Sequence, residues 1–210
     1  MGMKKTIRLL LVCVLGALFI TGCSKETVYV PVTANTIEVT ESGELIGYLV
    51  EPFDKEYYDI NELATMVETE IAEYNKNNQN LVPEAGRVPI VVDKVMMAED
   101  GSKKAVVALK FYNAAVYEDY MSGKLFYGTV DEAVAAGYEV DKKLSKVKDG
   151  DLLTGDLLEK NKDKKILILE DAVSVRLPQS VQFLSTNAKV DGYGYVDCTA
   201  DEELKYIIIK

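Results

Sequence analysis

From Thr36 onward, apolar positions recur mostly with a period of two, interrupted by one long stretch in which the period is near 3.6. Thr36 to Thr40 and Leu45 to Glu51 flank the turn Glu41-Ser42-Gly43-Glu44, a pattern that predicts a hairpin. Asp59 is suited to cap a following helix, and Glu62, three residues on, is placed to reach back to its amide. Ile60, Leu63, Val67, Ile71 and Tyr74 share one helical face, while Glu62, Thr65, Thr69 and Glu73 occupy the other. An amphipathic helix is expected over about 60–75, dissolving into the Asn-rich stretch Asn75 to Asn80 before Pro83.

A second hairpin is expected from Val88 to Met97 and Lys104 to Tyr112 around Glu99-Asp100-Gly101-Ser102. Asn113 to Met121 reads as a short helix and Leu125 to Gly128 as a short strand. Thr129 and Glu132 match a capping box and Gly137 supplies a stop, predicting a helix over 130–136. Asp141 to Asp163 is charged and weakly patterned, so a surface loop with a turn of helix is expected there. Further strands are expected at Lys165 to Glu170, Val173 to Leu177, Val181 to Leu184, Val190 to Val196 and Tyr206 to Ile209. The expected fold class is α+β, mainly an antiparallel sheet with one long amphipathic helix and short helices. Residues 36–210 are expected to form a single domain; the alternative divides them into two lobes near residue 150.

The N-terminal residues follow a different rule. Lys4, Lys5 and Arg8 precede Leu9 to Ile20, an unbroken uncharged run. Twelve helical residues span about 18 Å against a hydrocarbon core of about 30 Å, too short for a membrane span. The run closes on Ile20-Thr21-Gly22-Cys23, small residues directly before a cysteine. With the charged start and apolar run behind it, this segment resembles the lipobox of bacterial lipoproteins. In that family the signal is cut before the cysteine, whose sulfur carries a diacylglycerol. The resemblance covers about the first tenth of the chain. It implies a signal peptide over 1–22, a lipidated Cys23, a tether over 23–35, and a body held by lipid on the extracytoplasmic face of the cell membrane. Met1-Gly2 with Thr6 also fits a myristoylation pattern, but a cytosolic protein has no use for the apolar run that follows it.

Charge narrows the partners. Losing Lys4, Lys5 and Arg8 from 24 basic residues leaves 21 against 34 acidic ones, a net charge of −13. Such a surface repels phosphate backbones, so no nucleic-acid partner is expected. It also disfavours anionic headgroups and leaves lipid on Cys23 as the expected membrane contact. If Cys13 leaves with the signal and Cys23 carries lipid, Cys198 alone remains, and no internal disulfide can form. A lone thiol of this kind usually behaves as a small buried hydrophobe.

The chain contains no histidine, which closes Ser-His-Asp and Cys-His catalysis. No phosphate-cradling glycine motif is present, and Gly192-Tyr193-Gly194 is a bare GxG in a strand-like stretch, where glycine marks a bulge or close backbone approach. Asp54, Glu56 and Asp59, and separately Asp149, Asp151 and Asp156, are acidic groupings that read as a helix cap and a solvated turn rather than calcium sites. Tyr57, Tyr58, Tyr112, Tyr117, Tyr120 and Tyr127 suit either a binding surface or, the favoured reading, the margin of a core. No catalytic, metal or cofactor residue is assigned and no cofactor is expected. The expected role is a non-enzymatic binding or scaffold domain contacting an envelope protein or polymer. The alternative is a cell-wall or glycan hydrolase using carboxylates or a Ser-Lys pair.

Overall fold

In the computed structural model the described residues are 31–210, except that the side chains of Lys142 and Lys143 are not described. The signal segment, Cys23 and residues 24–30 of the expected tether therefore lie outside them. Pro31 to Lys210 form one compact unit. In chain order the elements are β1 (Thr36–Val39), β2 (Leu45–Pro52), α1 (Ile60–Asn77), β3 (Ile90–Met97), β4 (Lys104–Phe111), α2 (Ala114–Met121), β5 (Leu125–Thr129), α3 (Val130–Ala135), α4 (Val140–Lys143), β6 (Leu144–Lys146), α5 (Gly155–Glu159), β7 (Lys165–Leu169), β8 (Ser174–Arg176), β9 (Val181–Ser185), β10 (Lys189–Val190), β11 (Tyr195–Asp197) and β12 (Lys205–Ile209).

The fold is α+β with two mostly antiparallel sheets. One runs β10-β11-β8-β1-β2-β4-β3 and the other β5-β7-β12-β9-β6. The β1–β8 pair is parallel, with Thr36 opposite Ser174 and Glu38 opposite Arg176. The second sheet is covered on both faces, which explains why β7 and β12 read as continuous apolar runs rather than alternating ones. Leu167, Leu169, Ile207 and Ile209 meet Ile37, Val39, Leu45, Leu109 and Phe111 of the first sheet. Ile166, Ile168, Tyr206 and Ile208 point the other way, onto Val130, Ala133, Val140, Leu144 and Leu153.

Two expectations need correction. The charged stretch 141–163 holds the short helix α5 that a turn of helix anticipates, but it is not otherwise surface loop: it also holds β6, and Leu144 and Leu153 are 1 % and 0 % exposed. Isolated apolar residues here gain burial from the second sheet rather than from any local period. The expected strand Val190 to Val196 is broken by a turn into β10 and β11. Gly194 turns the chain with φ +73°, and a Cβ there would lie 2.3 Å from the Leu177 carbonyl oxygen. Backbone approach therefore requires glycine at this position.

Helix α1 is capped by Asp59, whose Oδ1 accepts the Asn61 N–H at 2.7 Å. Its predicted apolar face is only half covered, with Ile71 alone fully buried. A reciprocal clasp fastens it to α2. The Tyr74 hydroxyl donates to Asp119 at 2.7 Å, the Tyr120 hydroxyl donates to Glu70 at 2.8 Å, and the two rings meet edge to face at 5.1 Å. At the start of α3 both bonds of the Thr129–Glu132 capping box form, at 3.1 and 2.6 Å.

The outer edge of the first sheet is β3, whose Ile90 turns both backbone groups away from β4. The Asn75 side chain takes both, accepting the Ile90 N–H and donating to its carbonyl, each at 2.8 Å. Further along, the register slips between Val92 and Lys94, leaving Asp93 as a bulge that pairs with Lys110 at 2.6 Å. The chain enters this sheet at the opposite end from the β1–β2 turn. Val32 is buried against Val50, Ala98 and Val106, and Asn35 accepts the Val50 N–H at 2.8 Å.

Candidate functional site

The solvent face of the first sheet carries a polar row set by strand register: Tyr195 lies opposite Arg176, and Arg176 opposite Glu38. The Arg176 guanidinium sits 5.8 Å from the Tyr48 ring and 5.5 Å from the Tyr195 ring. It pairs with Glu38 at 3.8 Å, and the Tyr48 hydroxyl donates to the same carboxylate at 2.9 Å. Burial and the neighbouring Glu38 raise the Tyr48 hydroxyl above its ordinary pKa. Charge here is satisfied internally, so the row stiffens the sheet rather than offering an open valence to a ligand.

A different arrangement occupies the β1–β2 turn end of the molecule. A half-open groove of about 770 Å³ runs between the turn Glu41-Ser42-Gly43 and the ends of β5, β7 and β12. Lys164, Lys165 and Lys210 line it, with Glu41 and Asp163 the acidic residues and Tyr127 the aromatic wall. The Lys165 ammonium lies 5.9 Å from the centre of the Tyr127 ring, a cation–π contact. Elsewhere on this acidic protein Lys110, Lys124, Lys146 and Lys162 are held by carboxylates within 4 Å, whereas among the described residues none is that close to Lys164, Lys165 or Lys210, although Lys165 acts on the Glu132 carboxylate at longer range. With Glu41 and Asp163 also in its lining, the groove has a small local excess of positive charge. No local signal could reveal it, because its walls come from five separated stretches of sequence.

The two acidic groupings behave as capping and turn residues. Asp59 caps α1, Asp54 contacts Lys55 at 3.3 Å, and Asp149 takes the Lys146 ammonium at 2.6 Å. No group of three or more potential metal ligands occurs among the described residues. Cys198 is buried, with its thiol pushed up to about 12 by burial, so it is no nucleophile at neutral pH. The tyrosines divide: Tyr117 is 2 % exposed and Tyr112, Tyr120 and Tyr127 pack on the core margin, while Tyr57 stands 78 % exposed.

Two features bear on catalysis. Lys205 is fully buried, and its ammonium donates to the Glu170 carbonyl at 3.0 Å and to the Asp201 carbonyl, with the Asp201 carboxylate 3.3 Å away. With its donors committed to these oxygens and no groove wall formed by it, it is not placed to serve as the base of a Ser-Lys pair. The displaced carboxylates Asp100, Glu132, Asp149, Asp197 and Asp201 are all lowered, chiefly by hydrogen bonds, which is the wrong direction for a general acid.

Tyr48, Tyr74, Tyr117 and Tyr120 each donate to a carboxylate, and all four hydroxyls are raised above their ordinary value, first by burial. A pKa raised on folding gives stability that is complete below the unfolded value of about 10 and is lost as pH climbs through the folded values. Tyrosinate absorbance at 295 nm is therefore expected to lag that of the urea-unfolded chain above about pH 10 and to rise together with loss of circular dichroism. Complete titration of all thirteen tyrosines near their ordinary value, with structure retained, would contradict the assignment.

No protein-family model, curated protein or solved structure matches this chain. No helix among the described residues is long and apolar enough to cross a membrane.

Proposed function

We propose that this chain is a lipid-anchored bacterial envelope protein whose body is a non-enzymatic binding domain, held through diacylglycerol on Cys23 and offering its lysine groove to an anionic envelope polymer. The observation that carries the reading is polarity. Chain entry at Val32 and the groove at the β1–β2 turn lie at opposite ends of the first sheet. An eight-residue strand such as β2 separates these ends by about 26 Å. A ligand in the groove would meet the body on the side away from its attachment. Net negative charge favours cationic partners overall, but three lysines without a close ion pair make this one place attractive to phosphate or carboxylate groups.

The hydrolase alternative has less support. The lowered carboxylates and the saturated Lys205 supply neither a general acid nor a free amine, and no imidazole exists to replace them. The test is co-sedimentation of the purified protein with isolated cell-wall polymer. Lys164→Glu with Lys165→Glu is expected to weaken retention on the order of tenfold while leaving the circular dichroism spectrum unchanged. Retention indifferent to both substitutions, or release of wall fragments by the wild-type protein, would overturn the proposal.

A further inference from the structure

We infer that Phe53, Tyr57 and Tyr58 form a bilayer-contacting patch that fixes how the body stands on the membrane; the inference rests on the lipid anchor proposed above. The three rings make a continuous cluster just after β2, with Tyr57 and Tyr58 exposed and Phe53 half-buried. Phe53 and Tyr58 lie 4.8 Å apart, Tyr57 and Tyr58 5.0 Å apart, and the Tyr58 N–H closes a turn onto the Lys55 carbonyl at 3.1 Å. None of them joins a buried cluster, and Tyr57 and Tyr58 are 78 % and 43 % exposed. Two exposed tyrosine rings backed by a half-buried phenylalanine call for a partner with both an apolar and a polar side, because a tyrosine ring is apolar along its body and wet at its tip.

Position identifies that partner. The Phe53 N–H donates to the Lys103 carbonyl at 2.8 Å, and the adjacent Lys104 ammonium donates to the Thr33 carbonyl at 3.0 Å. The cluster therefore sits beside the segment by which the chain enters the body. From Cys23 to Pro31 there are eight Cα steps, so the entry point lies at most about 29 Å from the lipidated sulfur, whatever path the segment takes. Only this end of the body is obliged to stay near the headgroups, and tyrosine is the residue that membrane interfaces enrich. Glu51, Asp54, Glu56 and Asp59 flank the rings, which suits a zwitterionic surface better than an anionic one.

The chain has no tryptophan, so Tyr57→Trp provides a single fluorescent reporter at an exposed position. The full-length chain carrying it is produced in bacterial cells, and the processed protein is reconstituted into phosphatidylcholine vesicles containing a bromine-labelled phosphatidylcholine. Mass spectrometry of the Cys23 peptide reports the anchor separately. Tyr193→Trp serves as control, because Tyr193 precedes Gly194, whose carbonyl accepts the Leu177 N–H at 2.7 Å at the far end of the sheet. With lipid present on Cys23, Tyr57→Trp fluorescence is expected to be quenched about twofold and blue-shifted, and Tyr193→Trp fluorescence to be unaffected. Adding Phe53→Ser and Tyr58→Ser is expected to return the signal to the control level. Equal signals from the two reporters on a lipidated protein would overturn the patch and leave the anchor standing. An unmodified Cys23 would remove the anchor, and the patch with it.

Discussion

Cys23→Ala is expected to abolish incorporation of fatty acid and to leave an uncleaved precursor, while the body over 31–210 still folds. The chemistry implied by the lipobox resemblance places the thioether before cleavage, so losing the sulfur blocks both events. Each buried methylene contributes about 0.8 kcal/mol, so two acyl chains hold a protein durably where one does not. The body gives no substitute, since no helix among the described residues is fit to span a bilayer. Its core is independent of position 23, being built from residues of the two sheets and their helices. Radioactive palmitate labelling and the mass of the exported form are the measurements. Unchanged labelling of Cys23→Ala would remove the site assignment, and with it the proposal that this is a lipid-anchored protein.

The second large effect concerns Lys205. Shortening it to alanine opens a cavity where a long side chain was 0 % exposed and strips donors from two backbone carbonyls, those of Glu170 and Asp201. Lys205→Ala is expected to cost about 3–5 kcal/mol of unfolding free energy, combining cavity and orphaned-acceptor losses. Lys205→Met keeps most of the apolar stem and loses only the donors, for about 1–3 kcal/mol. Asp201 is the partly exposed end of this network, also accepting from the Glu203 N–H and the Asn187 amide, so its carboxylate can rehydrate once the ammonium is gone. Urea unfolding of the two variants reads the difference. Alanine within about 0.5 kcal/mol of wild type would mean that the buried ammonium contributes nothing net.

Much of the fold was legible because most strands carry their own period. The hairpins Thr36 to Glu51 and Val88 to Tyr112, the short helix α2, and α3 with its Thr129 cap stand where the sequence pattern puts them. What escaped was burial conferred from a distance. Val140, Leu144 and Leu153 stand among charged neighbours and show no repeat, yet the second face of the five-stranded sheet encloses all three. Lys205 reads as a polar residue outside the expected strand Tyr206 to Ile209, and nothing local announces that its ammonium is fully enclosed.

The candidate sites were less legible still. Favouring the core margin suited Tyr112, Tyr117, Tyr120 and Tyr127 but not Tyr57, whose exposure depends on where the turn after β2 lands. Lys165 and Lys210 stand 45 positions apart in the sequence and meet only because β7 and β12 are neighbours in one sheet. Charge counted over the whole chain conceals such a local gathering of lysines, since the total is dominated by acidic residues elsewhere.

On the lipid-anchor proposal, the Asn75 amide has a consequence for life in two dimensions. Copies confined to a bilayer meet one another at far higher local density than free copies would, and a straight, unpaired β3 would invite strand-to-strand polymerisation. Asn75 occupies both valences of Ile90 as a surrogate neighbouring strand, and the kink at Asp93 spoils the register of whatever reaches the next residues. A single side chain and a single extra residue thus make this edge a poor template for a second copy.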